Sequence, residues 1–486
     1  MTSLGQRTLS GFLWTFASET GRKITSFIIG IVLARLLAPE HFGLVAMLLI
    51  FFAVSNTFVN SGFSNALIRK DTITEEDKST TFIINLSVAV FFYVLLWFGA
   101  PYIARFYDQP QLVPLTRFMG VTVVIQAFAI IQKALFTQQL KFRQLGIIAL
   151  AANLIAGITG VTLAYLGYEV WSLAFKYVLL ILIQTCLFWM LQPWFPKKGF
   201  SRSSFDYLFG FGSKLLLAGL LDTFFKNIYK VIIGRVFTAS ILGFYTHAQI
   251  YVQTVSQGSI TTLQKVTYPI LSKTKDNPER LKKAYRKIIM ASSFVIFPSV
   301  MGLALIAEPM ILTLVGEQWL PAVPFLQIFC VSGALYHLHS VNLNILKVVG
   351  RSDLFLRLEI IKKVNVTVAI IIGLQFGIWG LMIAKVISSY VALFINLYYT
   401  RHFISYSYSE QFKDLVPVLI HTIPMVLVVY VIITITTFSA LVTLMLAIGM
   451  GAIVYLLTSI IVKSEALHVI KNLLGERFLF LNKLPI

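Results

Sequence analysis

The sequence predicts an all-α membrane protein of about 14 transmembrane helices. They form two six-helix lobes in a parallel pseudo-twofold repeat, with an appended C-terminal helix pair. Three observations predict this. Hydrophobic residues make up 57% of the chain and charged residues 12%, and the mean hydropathy is +0.82, a composition that no soluble domain of this length shows. Apolar stretches of membrane length recur from end to end. The two halves also repeat one another at a near-constant offset.

A span needs roughly 20 apolar residues. The segments 9–37, 41–68, 79–102, 112–135, 145–167 and 170–192 supply the first lobe, residues 1–195. Segments 205–237, 241–268, 288–309, 323–347, 354–375 and 378–400 supply the second, residues 200–400. Segments 415–437 and 440–462 form the appended pair, 415–462. Met1 to Ser10 holds one basic residue, Arg7, and leads into a span too long for a signal-peptide core. Arg35 and Gly43 match Arg235 and Gly243 at an offset of 200. Trp171-Ser172-Leu173 with Lys176 matches Trp379-Gly380-Leu381 with Lys385 at an offset near 208. Six spans per repeat is an even number, so both repeats begin on the same side of the membrane, as parallel repeats do.

Between spans 8 and 9 lies the longest inner loop, Lys273 to Lys287, where Pro278-Glu279 followed by Leu281, Ala284 and Tyr285 predicts a short surface helix. The tail, 463–486, has Leu467, Ile470, Leu473, Leu474 and Phe478 at helical spacing, as expected of an amphipathic helix on the inner leaflet. The net charge of +20 falls almost entirely on alternate loops. The positive-inside rule therefore places both termini in the cytoplasm.

Several classes are excluded or disfavoured. The chain has no GxxxxGK[ST] phosphate loop, which argues against ATP hydrolysis. Cys186 and Cys330 both lie inside spans and read as small core residues. His337 and His339, at i and i+2 on span 10, point to different faces, so they make no metal pair and no metal site is expected. The basic loops are explained by topology and lipid headgroups, and no nucleic-acid role is assigned.

Charges inside spans carry the functional signal, because an ionised group at bilayer depth costs several kcal/mol unless it faces protein or water. Span 1 holds Glu19, Arg22 and Lys23 on one helix face. Span 7 holds Lys214, Asp222, Lys226 and Lys230, the last three stepping by four. Pairs such as Glu19 with Lys23 and Asp222 with Lys226 could neutralise themselves, but the cations outnumber the acids, and Lys176 and Lys385 add two more. Unpaired buried charge is costly, which favours a cationic cavity for an anionic, phosphate-bearing ligand. Glu19 and Asp222 are candidates to bind a coupling H⁺ or Na⁺; simple pairing with the adjacent Lys explains them equally well. Beside these spans, Asn56 and Asn60 on span 2 and Gln249, Gln253 and Gln257 on span 8 form amide stripes able to contact sugar hydroxyls. Interhelical hydrogen bonding is their alternative explanation.

The stretch Ala34-Arg35-Leu36-Leu37-Ala38-Pro39-Glu40-His41-Phe42-Gly43 resembles the span 1–2 junction of the polysaccharide transporters, in the superfamily of multidrug, oligosaccharidyl-lipid and polysaccharide exporters. Leu242-Gly243-Phe244-Tyr245, Tyr268-Pro269-Ile270-Leu271-Ser272 and Val349-Gly350-Arg351-Ser352-Asp353 extend the resemblance over nearly the whole chain. Within that group it is most similar to the Wzx-type lipopolysaccharide and exopolysaccharide flippases. The resemblance implies an inner-membrane flippase for an undecaprenyl-pyrophosphate-linked oligosaccharide, working by alternating access in antiport with protons or Na⁺. It implies a cavity lined mainly by spans 1, 2, 7 and 8, no organic cofactor, and a groove for the lipid tail at spans 13–14. Membrane lipids, a polysaccharide polymerase and chain-length proteins are the further partners expected. A multidrug exporter of the same fold is the first alternative, disfavoured by the cation surplus. A membrane glycosyltransferase, polymerase or ligase is the second, disfavoured by short outer loops with few acids.

Overall fold

The computed structural model describes residues 4–60, 62–70, 72–273 and 277–475. Among them the chain forms α1 (Leu4–Leu36), α2 (Pro39–Asn60), α3 (Phe63–Arg69), α4 (Glu75–Tyr107), α5 (Leu112–Gln138), α6 (Phe142–Tyr165), α7 (Glu169–Leu191), α8 (Arg202–Val236), α9 (Ala239–Lys273) and α10 (Pro278–Leu305). There follow α11 (Ala307–Leu314), α12 (Ala322–Gly333), α13 (Tyr336–Val348), α14 (Ser352–Leu374), α15 (Gly377–Ile404), α16 (Tyr408–Ile435), α17 (Ala440–Ile461) and α18 (Glu465–Gly475). Helix is what hydrocarbon demands, since it satisfies every backbone group within one segment. Among the described residues, 10 segments are long and apolar enough to cross a membrane, or 11 if α8, bent by 45°, is counted as one span. α1, α9 and α14 have the length, at 33, 35 and 23 residues, but are not among these. They hold the charges and amides that sequence analysis singles out in α1 and α9, and a further cluster in α14.

The helix ends refine the sequence reading. Span 2 stops at Asn60, because Gly62, at φ 70°, turns the chain before α3. The surface helix expected near Pro278 is instead the start of the long α10: Asn277 caps it by accepting from the Arg280 amide at 3.0 Å, and Pro278 occupies the first turn. No breaker separates it from the apolar run that follows. Span 10 is interrupted between α12 and α13. The tail helix, α18, packs on α10 through the buried Ala466 and Val469, while Phe478 lies outside the described residues.

The chain divides into two compact units, Met1–Gly243 and Phe244–Ile486. In the first, α1 lies on α6, α4 on α5, and α7 on α5 and α6, with α2 among α4, α5 and α7. α8, which the sequence repeat assigns to the second half, runs antiparallel along α2. Small residues bring the two backbones together. Gly62 meets Gly212, Thr57 and Thr223 share a hydrogen bond at 3.1 Å, and Gly234 lies under Met47 and Tyr107. The seam continues past the end of α8 into the first turn of α9, where the contact is reciprocal. A Cβ on Gly43 would fall 1.8 Å from the Ala239 carbonyl oxygen, and one on Gly243 would fall 2.1 Å from that of Pro39. Gly43 and Gly243 are the glycines that mark the 200-residue repeat. At the opposite end of α2, buried Asp77 accepts from Lys70 at 2.6 Å and from the Thr74 amide, fixing the α3–α4 corner.

In the second unit α10 is the hub, packing on α12, α13, α15, α16 and α18. Arg286 grips Asp414 of α16 with two hydrogen bonds, 2.5 and 2.7 Å, and Tyr406 also donates to that carboxylate. Such bidentate charge-assisted pairs hold geometry better than single ones.

Gly43→Ala is expected to cost about 1–3 kcal/mol by overpacking against backbone that cannot move aside. Gly99→Ala, where nothing lies within 4 Å, should be neutral or slightly stabilising. Thermal unfolding of the two variants in detergent checks this, and equal melting temperatures would refute the close-contact account.

Candidate functional site

The first unit encloses a cavity of about 730 Å³ among α1, α2, α3, α5, α6 and α7. α1 reaches it because α6 holds α1 in one rotation. Asn153 of α6 donates to Thr25 at 3.0 Å and accepts from Ser26 at 3.1 Å. Gly146 and Gly157 leave room for Ser18 and Ile29. Glu19 and Arg22 then line the cavity, hydrogen-bonded to each other at 2.9 Å with side chains 51% and 39% exposed. An ion pair that open is worth only about 0.2–1 kcal/mol. Arg22 can therefore be given up to a stronger acceptor at little cost.

Lys133 of α5 also lines the cavity, with Gln126, Gln184 and Asn60 as its amides. Lys133 is exposed, and among the described residues no acid pairs with it. The lining thus presents two cations and one carboxylate, with amides that both donate and accept. Phosphate oxygens suit the cations, and hydroxyl-rich groups suit the amides.

The other predicted residues are distributed as follows. Lys23 is exposed and does not line this cavity, and Glu19 pairs with Arg22 rather than with Lys23. Asn56 sits on α2 one turn before Asn60, whose amide donates to the Asn56 carbonyl at 2.7 Å. Lys226 pairs with Asp222 at 2.6 Å, both of them exposed, while Lys214 is exposed and Lys230 half-buried on the same helix. Lys176 is half-buried on α7, its stem against Gly160, with no acid partner. In the second unit, Lys385 donates to the Tyr245 hydroxyl at 2.5 Å and lies over the Tyr245 and Phe329 rings, 4.8 and 4.5 Å from their centroids. Aromatic faces on both sides stabilise such a cation. Gln249 is half-buried and Gln253 exposed on α9; the Gln257 side chain lies outside the described residues.

Sequence reasoning missed Lys133, Gln126 and Gln184. The rule that exposed the stripes on spans 2 and 8, amides and charges inside an apolar span, also selects these three. Among the described residues, no three His, Cys, Asp or Glu side chains gather as a metal site would require.

Residues 32–324 match the profile of a family described as polysaccharide biosynthesis protein. The chain belongs to this family. Among curated relatives of the family, the chain is similar to the lipopolysaccharide biosynthesis protein WzxC of Escherichia coli (strain K12), with 23% identity over 81% of this chain and 82% of that protein. It is also similar to the teichuronic acid biosynthesis protein TuaB of Bacillus subtilis (strain 168), with 26% identity over 73% and 74%. Among solved structures, the lipid II flippase MurJ in an inward closed conformation superposes with a TM-score of 0.76 at 15% identity, covering 93% of this chain and 98% of that one. That likeness establishes a shared fold. Membership in the polysaccharide biosynthesis family thus coincides with an all-α, multi-pass membrane architecture.

The cavity should be wet. With Cys186→Ser as background, Gln184→Cys is expected to react with a water-soluble maleimide at least about tenfold faster than Leu48→Cys, whose position is fully buried. Comparable labelling rates would contradict an open cavity.

Proposed function

We propose that this family member is an inner-membrane flippase. It moves an undecaprenyl-diphosphate-linked oligosaccharide from the cytoplasmic to the outer leaflet for lipopolysaccharide or exopolysaccharide synthesis. The observation that carries the reading is the first-unit cavity, where Arg22 and Lys133 outnumber Glu19 and amides supply the remaining polar lining. A diphosphate is a doubly charged oxygen cluster, and guanidinium and ammonium groups are its natural partners. The names of WzxC and TuaB place those relatives in polysaccharide synthesis, and MurJ is a flippase by name. All three support the reading.

In this scheme both termini are cytoplasmic. The cavity lies where α2, α5 and α7 end and α6 begins, which is the cytoplasmic half of the first unit. A substrate made in the cytoplasm would reach it there. The diphosphate displaces Glu19 from Arg22 and engages Lys133, while Asn60, Gln126 and Gln184 meet sugar hydroxyls. Lys23, Lys176, Lys214, Lys226, Lys230 and Lys385 extend the positive path. Coupling requires an ion that binds one orientation better than the other, and Glu19 and Asp222 are the carboxylates available to take H⁺ or Na⁺.

Each charge-assisted contact is worth about 1.5–3 kcal/mol, so Arg22→Gln and Lys133→Gln should each lower flipping by about tenfold or more. Lys133→Arg should retain most of it. Translocation of a fluorescent polyprenyl-diphosphate oligosaccharide in proteoliposomes measures this. Undiminished flipping by both Gln variants would reject the cavity as the diphosphate site. Tags at both ends should also resist externally added protease in spheroplasts, and cleavage of either would overturn the orientation.

A further inference from the structure

The second unit holds a buried polar cluster that the cavity of the first does not explain. It lies in the segment Ala322–Leu346, which is long and apolar enough to span as one helix, with only a two-residue turn at Ala334–Leu335. His337 and His339 follow that turn, about 10–14 Å from the nearer end of the segment at 1.5 Å per residue.

The two imidazoles are held differently. His337 is fully buried, and its Nε2 lies 2.8 Å from the Ser293 Oγ of α10, with its ring edge-on to Phe297. His339 is half-buried. Its Nε2 lies 3.2 Å from Ser389 Oγ and its Nδ1 3.0 Å from the Asn396 side-chain amide, both on α15. With Asn396 donating, Nδ1 accepts, so the proton of the neutral ring sits on Nε2 and points at Ser389. The Asn396 Oδ1 is then buried without a partner. That orphan acceptor is the group an imidazolium would need. If Nδ1 takes up a proton, rotating the Asn396 amide by half a turn brings Oδ1 to face it. One orphan atom is exchanged for another, so proton uptake forfeits no hydrogen bond.

The charged and titratable surroundings are few. Lys362 of α14 is the charge that acts on His339, and Glu359, one turn away, pairs with it. His337 is the neighbour on the same helix. α15 contributes the uncharged Ser389 and Asn396 and, one turn before Ser389, Lys385, whose amine donates to Tyr245. α10 presents Ser293 to His337, and α12 carries no charged residue.

We propose that His339 is a proton-binding site of the transport cycle, with the Asn396 amide as its reversible partner and the Glu359–Lys362 pair as its electrostatic neighbour. The proton comes from water and returns to it, and no bond other than N–H forms or breaks. Uptake adds a positive charge between α13 and α15, which biases their packing and couples a proton gradient to the direction of movement. The coupling part rests on the flippase reading, while the binding part stands without it.

Two measurements separate them. In lipid nanodiscs, the ¹⁵N histidine resonance lost in His339→Gln should titrate within about pH 5–8, the range in which imidazoles change charge, and Asn396→Asp should move its midpoint alkaline. A resonance that stays neutral from about pH 4 to 9 would overturn the site, whatever the protein transports. In proteoliposomes, wild-type flipping should respond to an imposed pH gradient about tenfold, and His339→Gln should keep the basal rate while losing that response. A full response in His339→Gln overturns the coupling role and leaves the flippase reading standing. Absence of flipping by wild type under all gradients sinks the flippase reading, and the titration then still decides the proton site.

Discussion

A hydrocarbon solvent that hydrogen-bonds nothing is the constraint behind every part of this structure. It makes each membrane-length segment of the described residues helical, and it makes each charge on a long helix an object that must be housed. The houses found here are of three kinds. Some charges pair, as Arg286 does with Asp414 and Lys362 with Glu359. Lys385 sits over aromatic rings and donates to the Tyr245 hydroxyl. Arg22 and Lys133 open onto a cavity. The last arrangement leaves positive charge open to a ligand, which is why the proposed function puts the phosphates there.

The same solvent explains why α2 is central. Its sides are largely apolar, with α4, α5, α7 and α8 packed on them, and glycine at both ends of the seam admits backbone to backbone. One end carries the reciprocal contact of Gly43 and Gly243. The other end carries Asn60 at the cavity. A single helix of 22 residues thus joins that close contact to the cavity. In an alternating-access cycle, movement at one end is felt at the other without any intermediate relay.

How much was legible beforehand depends on the length scale of the signal. The spans are read from runs of about twenty residues, and the helices fall where those runs lie. Single-residue events were less legible. The stop at Gly62 and the merging of the Pro278 helix into α10 depend on whether a breaker is enforced by packing, which composition does not report. Glu19 was set against Lys23 by the favourable i,i+4 rule, yet α6 rotates α1 so that Arg22 shares the cavity with it. His337 and His339 were weighed only as metal ligands, and their partners on α10 and α15 lie dozens of residues away in sequence.

What the sequence determined by itself is the membrane fold class, the approximate span positions and the excess of interior cations. Those follow from composition and local periodicity, which are properties of neighbouring residues. Tertiary structure alone decided which cations reach the cavity, since Lys133 and Arg22 come together, with Gln184 beside them, only when α1, α5 and α7 pack around one space. It also decided that Asn396 would stand beside His339 with an unsatisfied oxygen. Helix rotation sets both outcomes, and rotation is chosen by long-range contacts such as Asn153 with Thr25 and Ser26, which no local pattern encodes.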